Sequence, residues 1–298
     1  MHVHWTGDRC VICLGSAQLT KEHIIPASLG GRLTCDFLCK SCNSDVGAYV
    51  EAKAKHDPSV RLAVAQLQAQ IPQLAAQLME GQEFISHGPG GKSSGRVKSG
   101  EFRARPRKEP DGSLIQPTSE GRKSIEKLFG KSGMNQSPIE DALRRFDEAP
   151  DNQKVDLGSN LEAVKWSVDR IQPDLSQSVL LSPLVPLKIA YEFLACHLGH
   201  AIYDEARHMA ELRKVLLERM EEHPCYSVER LSAKEYKPFH GIMFEGNAPH
   251  AQVQVRLFGW LAFRVHCKHL AVNGNRFIYT HFLDSGTEDV QTVALPVR

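Results

Sequence analysis

The chain has 298 residues, enough for about two domains of ordinary size. Hydrophobic residues make up 42% and charged residues 24%, the balance of a folded globular chain, which sets aside disordered, collagenous and membrane-spanning classes. Thirty-six basic against 35 acidic side chains leave a net charge of +1, so attraction to a polyanion would have to come from local clusters.

The first ten residues hold neither a basic stretch nor an apolar run, so no secretory signal is read there and a reducing, cytoplasmic compartment is expected. In such a compartment, close cysteine pairs are metal ligands before they are disulfides. Of the eight cysteines, five lie in the first 42 residues. Cys10-x2-Cys13 and Cys39-x2-Cys42 form two knuckles with 25 residues between them. Two thiolates from each complete a tetrahedral site for a structural Zn2+, with metal–sulfur distances of about 2.3 Å. Cys35 is a fifth sulfur and is expected to be free. Cys196, Cys225 and Cys267 are expected as small buried apolar residues.

Further along, Val46, Tyr49 and Val50 mark a helix after Asn43, bounded by Pro58. Val60, Val64, Leu67, Ile71, Leu74 and Leu78 recur at helical spacing, and Pro72 divides that stretch. Phe84-Ile85, 97–102 and Leu114-Ile115 read as short strands, with a hairpin turn at Asp111-Gly112. Helices are expected over 120–129, over 137–146 (opening on Ser137-Pro138), over 161–171, and over 186–222 ahead of Pro224. Alternation over 250–257 places strands across 239–283, with a turn at Asn273-Gly274. Between residues 92 and 131 eleven basic residues face five acidic ones. Arg96, Lys98, Arg103, Arg105 and Arg107 are the candidates there for nucleic-acid phosphate contact, the alternative being a solvated surface that binds nothing.

Between the knuckles runs Glu22-His23-Ile24-Ile25-Pro26, then Leu29-Gly30-Gly31; the second knuckle leads directly into Asn43, with Gly47 four residues on. A carboxylate and an amide oxygen hold a hard divalent cation, and a neighbouring imidazole accepts a proton from water near neutral pH. Zinc knuckles would fix the mutual placement of these pieces, since so short a segment has little core.

This combination resembles the HNH endonucleases of the ββα-metal (His-Me finger) fold, in the subgroup braced by a four-cysteine zinc. The resemblance covers residues 10–51. It implies an α+β protein, with an N-terminal zinc-braced HNH module over 1–58 and a larger mixed helix and antiparallel-sheet domain over 59–298 for target choice or regulation. It implies His23 as general base, Glu22 and Asn43 as ligands of a catalytic Mg2+ or Mn2+, and Asn43 alternatively as the residue that orders the loop orienting His23. Glu22 stands where the family usually has Asp. Ala52 stands near the place of a final His, and Glu51 or His56 would compensate, Glu51 being favoured. The implied reaction is one-metal hydrolysis of DNA phosphodiester bonds. DNA is the implied partner, with RNA open and a homodimer allowed. Two other functions compete: a non-catalytic zinc-finger nucleic-acid-binding module, and an effector nuclease regulated by a ligand or partner.

Other patterns carry less. Ser86-x4-Gly91-Lys92-Ser93 imitates a phosphate-binding loop but has Ser86 in place of its first glycine. His197, His200, Asp204 and His208 form one stripe if helical, read as a polar or interdomain face. Phe258, Trp260 and Phe263 suit a sheet core.

Overall fold

The computed structural model describes residues 1–88, 91–98, 101–105, 107–108, 114–117, 121–131, 136–151, 153–158, 162–166, 170–173, 181–203, 208–245, 251–268, 270 and 276–293. They form two compact units: Met1–Leu78 with Ser178–Arg298, and Met79–Gln177. The first unit thus runs on past residue 58, where a boundary is expected from the sequence, and residues 79–177 are inserted into it.

The chain opens with β1 (His2–Val3), β2 (Leu19–His23) and β3 (Thr34–Cys39), in sheet order β1-β3-β2. β2 and β3 are antiparallel, and their connection closes on the Leu-Gly-Gly phrase. Gly30 sits at φ +86°, and a Cβ on Gly31 would meet the Ile25 carbonyl oxygen, so only glycine fits this turn. From β3 the backbone passes into α1 (Lys40–Cys42), a π turn (Asn43–Gly47) and α2 (Ala48–His56), one unbroken helical run. Strand, strand and helix therefore follow one another as the sequence leads one to expect. α3 (Pro58–Gln66) starts at an Asp57 cap whose side chain accepts from Ser59 and Val60 N–H. Pro72 is the first residue of α4 (Pro72–Met79), which is how it divides the apolar stretch.

The inserted unit contains β4 (Glu83–Gly88), β5 (Gly91–Lys98), β6 (Glu101–Ala104), β7 (Arg107–Lys108), β8 (Leu114–Pro117), α5 (Gly121–Lys131), α6 (Gln136–Glu148), β9 (Lys154–Asp156), β10 (Glu162–Trp166) and β11 (Arg170–Pro173). Two four-stranded sheets result, ordered β11-β4-β5-β6 and β7-β8-β10-β9. Ile125, Phe129, Ala142, Phe146 and Ala163 pack together in its core. The helix expected over 161–171 is instead the two strands β10 and β11. β10 pairs with both β8 and β9, and those ladders, with Val164 and Trp166 in the strand, override the helix preference of Leu161, Glu162 and Ala163. The Asp111-Gly112 turn lies outside the described residues.

The first unit resumes with α7 (Leu184–Leu198), a 3-10 turn (Gly199–Tyr203) and α8 (Met209–Glu218). The single long helix expected over 186–222 is thus interrupted at Gly199, whose φ is +54°. Then come β12 (Tyr226–Leu231), β13 (Phe239–Glu245), β14 (Ala251–Leu257), β15 (Leu261–Cys267), β16 (Arg276–Phe282) and β17 (Glu288–Val293). They make one antiparallel sheet ordered β12-β15-β14-β13-β16-β17. β14 alternates buried residues with half-buried or exposed ones as read from the sequence, while the edge strands β12 and β17 lie outside the expected range. The Asn273-Gly274 turn is outside the described residues. α7 is buried from Leu184 to Ala195, packed between the sheet and α2. The whole is α+β, and among the described residues no helix is long and apolar enough to cross a membrane.

Candidate functional site

The two knuckles meet. The sulfurs of Cys10, Cys13, Cys39 and Cys42 all lie within 4.8 Å of one another, with Cys13 and Cys39 Sγ 3.7 Å apart. Local turns shape each half: Leu14 N–H donates to the Cys10 carbonyl at 3.0 Å, and Cys42 N–H donates to Cys39 Sγ at 3.5 Å. Hydrogen bonding from Cys42 draws Cys10 down to about 4, while burial raises Cys13 and the bond to Cys10 raises Cys42, so a negative charge in the cluster falls first on Cys10. Four sulfurs at these separations fit a closed tetrahedral zinc. Cys35 stands apart, fully buried on β3 and hydrogen-bonded to Cys196 of α7. α7 also buttresses the first knuckle, since Tyr191 Oη donates to the Val11 carbonyl at 2.5 Å.

β2 carries a register shift between Thr20 and Lys21, immediately before Glu22 and His23. Such a bulge increases local twist and re-aims the side chains after it. The Asn43 amide fastens this point: Nδ2 donates to Lys21 O at 3.0 Å and to Thr20 Oγ1 at 3.1 Å. Its oxygen is left facing Gly47. A Cβ on Gly47 would lie 3.5 Å from Asn43 Oδ1 and 4.0 Å from Glu22 Oε1, so the bare glycine leaves a cradle bordered by a carboxylate and an amide oxygen. Those are the donors a hard divalent cation takes.

His23 ends β2 half-buried, and its pKa is drawn down chiefly by burial, with Lys21 and Lys188 adding to the fall and Glu22 opposing it. The neutral imidazole is thereby the favoured form at neutral pH. Glu51 is raised by burial and by the Glu22 charge, while Lys188 and the Ala27 N–H pull it the other way. Of the two candidates near Ala52, Glu51 therefore shares the Glu22 neighbourhood. His56 lies with Ala52, Lys53 and Glu221 on the wall of a different cavity, of about 700 Å³. Glu22, His23 and Glu51 are not among the described sets of three ligand atoms within 4.8 Å of one another.

One partner in this neighbourhood is absent from the sequence expectations. Glu22 is only 5% exposed, and its Oε1 receives the Lys188 ammonium at 2.5 Å. Lys188, fully buried on α7, also donates to Glu192 Oε2 at 2.8 Å and to the His23 carbonyl at 3.3 Å. Burial works against the charge on Lys188, but Glu192 and Glu22 more than reverse this and its pKa is raised. One ammonium does not compensate two buried carboxylates, and burial raises Glu192 well above its ordinary range. A signal was present in the sequence: a Lys and a Glu four residues apart inside a largely apolar helix need a polar partner from elsewhere.

In the inserted unit, Glu83, Arg96 and Arg103 occupy one cross-strand row. Arg96 and Arg105 both reach Glu83, at 2.9 and 2.5 Å, so part of the local positive excess is internally neutralised. Lys98 is exposed, Arg103 half-buried, and the Arg107 side chain lies outside the description. The phosphate-loop imitation runs through β4 and the β5 strand of a hairpin, where Gly88 faces Gly91, and lacks the following helix it would need. His197 is half-buried, stacked on Phe277 at 4.0 Å between ring centroids and held to about 4 by burial, and Asp204 of its stripe is outside the described residues. Phe258 and Phe263 are buried, and Trp260 packs tilted against Tyr236 with ring centroids 4.8 Å apart. Glu211, His223 and Cys225 also bring three ligand atoms within 4.8 Å. There His223 Nδ1 accepts from Cys225 N–H at 3.2 Å, which occupies that ring nitrogen, and burial pushes the Cys225 thiol up to about 11.

Neither curated proteins nor solved structures gave a match to the chain. Residues 10–59, the span from the first knuckle to the start of α3, match the family model described as HNH endonuclease, and the same segment carries the four-cysteine cluster fit for zinc.

Proposed function

We propose that the chain is a metal-dependent DNA endonuclease in which His23 is the general base. The observation that carries this reading is the end of β2: a half-buried imidazole biased to its neutral form, adjoining a carboxylate whose oxygen, with that of Asn43, borders the space beside Gly47. His23 takes a proton from the water that attacks phosphorus, and the 3′-oxygen departs, leaving 5′-phosphate and 3′-hydroxyl ends. Asn43 holds the bulge that aims His23. Glu22 and Asn43, with Glu51 alongside, are the residues that would hold Mg2+ or Mn2+, and the ion would supply charge compensation at the phosphate. The four cysteines hold the structural Zn2+, and the arginine row of the inserted unit, with Lys98, contacts the nucleic-acid backbone.

The test is plasmid nicking with Mg2+ or Mn2+. Wild type cuts and His23→Ala, with zinc content unchanged, does not; equal cutting by both removes His23 from the mechanism. A second reading, a non-catalytic nucleic-acid-binding module, is favoured by the Lys188 ammonium already seated on Glu22. In that case wild type and His23→Ala are equally inert yet shift DNA alike in a mobility assay.

A further inference from the structure

Lys188 lies outside the segment that matches the HNH family, and its place is unusual. Its three N–H bonds are all spent inside the protein, on Glu22, Glu192 and the backbone carbonyl of His23. Around it α7 packs chiefly as hydrocarbon, with Leu187, Ile189, Ala190 and Leu194 fully buried or nearly so. Folding α7 onto the sheet requires no cation at position 188, where an apolar side chain of similar volume would ordinarily serve as well. What an apolar side chain would not do is grip the last two residues of β2. Two of the three contacts go to those residues, and both cross more than 160 residues of sequence. The third, Glu192, is one turn along α7 and holds the ammonium from behind.

Building on the nuclease reading above, we propose that Lys188 is a positioning residue of the centre: from α7 it fixes the direction of the Glu22 carboxylate and the backbone of His23. The HNH segment is then incomplete by itself. Its working end is finished by a helix that the chain supplies only after the inserted unit. Lys188 also places one positive charge against Glu22, so it weakens cation binding at the cradle while it improves the aim of the groups around it. That opposition separates a positioning role from a merely structural one.

The experiment uses the full-length, zinc-loaded chain. Lys188→Met is compared with wild type in two measurements: the nicking rate at saturating Mn2+, and Mn2+ affinity from the electron paramagnetic resonance of free Mn2+. The expected result is a rate lowered about 100-fold, the usual penalty for slight misplacement of reacting groups, together with Mn2+ bound at least about tenfold tighter once the ammonium is gone. If Lys188→Met fails to retain zinc, Lys188→Met with Glu192→Leu, which removes the buried acid left behind, is measured in its place. A folded variant that nicks at the wild-type rate or faster overturns the inference, and so does a slowed variant whose Mn2+ affinity is unchanged or lost. If wild type itself nicks nothing, the nuclease reading fails separately. The Mn2+ measurement then decides alone: tightening supports the grip of Lys188 on Glu22, and no change overturns it.

Discussion

Replacing Gly47 by alanine separates stability from activity. Gly47 closes the π turn inside the helical run from Lys40 to His56, at φ −58° and ψ −55°, angles that any L-residue adopts. Alanine there gains helix propensity and lowers the entropy of the unfolded chain, together about 1 kcal/mol. The added methyl would sit 3.5 Å from Asn43 Oδ1 and 4.0 Å from Glu22 Oε1, both ordinary van der Waals separations, so no clash offsets the gain. The midpoint of thermal unfolding should therefore rise by about 2–4 °C. The same methyl would stand within van der Waals reach of both oxygens. Any cation they hold must be displaced or lose one oxygen, and the nicking rate should fall at least about 100-fold. Calorimetry and a plasmid assay on the same preparation read both effects. A variant that is more stable and cuts as fast as wild type would show that the cradle takes no part in cleavage.

Three other perturbations have defined outcomes. Chelating the zinc, or Cys42→Ser, should unfold the N-terminal segment, since structural zinc sites contribute about 10–16 kcal/mol of binding energy; metal analysis and limited proteolysis measure this, and an unchanged digestion pattern would contradict it. Tyr191→Phe leaves the Val11 carbonyl without its donor and should cost about 1–2 kcal/mol in denaturant unfolding, with faster zinc release. His240 is fully buried, donating from Nε2 to the Leu29 carbonyl at 2.8 Å and accepting from Phe258 N–H at Nδ1, and burial holds it to about 4. The unfolded chain takes up a proton below its ordinary 6.5 while the folded chain does not. Stability is therefore complete above pH 6.5 and falls as the pH drops toward 4, by roughly 3 kcal/mol. Urea midpoints for His240→Gln should be flatter across that window, and an equal slope would refute the assignment.

What could be read from the chain alone was set by sequence distance. The knuckles are local: two residues between the cysteines of each pair and a strand and turn between the pairs leave few ways to bring four sulfurs together. Glu22, His23, Asn43 and Gly47 sit within the same short stretch, and the structure places three of them around one opening. Lys188 was legible only as a charge that breaks an apolar run, because its partner lies 166 residues away and no spacing rule links them. The strands over 162–166 and 170–173 were hidden for a related reason. Their identity comes from the ladders β10 forms with β8 and β9, and β11 with β4, whereas their composition favours helix. The break at Gly199 follows from a positive φ that a lone glycine in a helical pattern does not announce. Arg96 and Arg105 stood out as free positive charge until Glu83, nine residues before the counted window, proved to lie between them.

Because the first unit is assembled from two stretches separated by residues 79–177, a ribosome delivers the cysteine clamp long before the helix bearing Lys188 and Tyr191 or the strand bearing His240. A chain whose synthesis stops early has all four cysteines yet has no α7 to fasten Glu22 or the first knuckle. On the nuclease reading proposed above, the groups that fasten the end of β2 arrive only with the last third of the polypeptide.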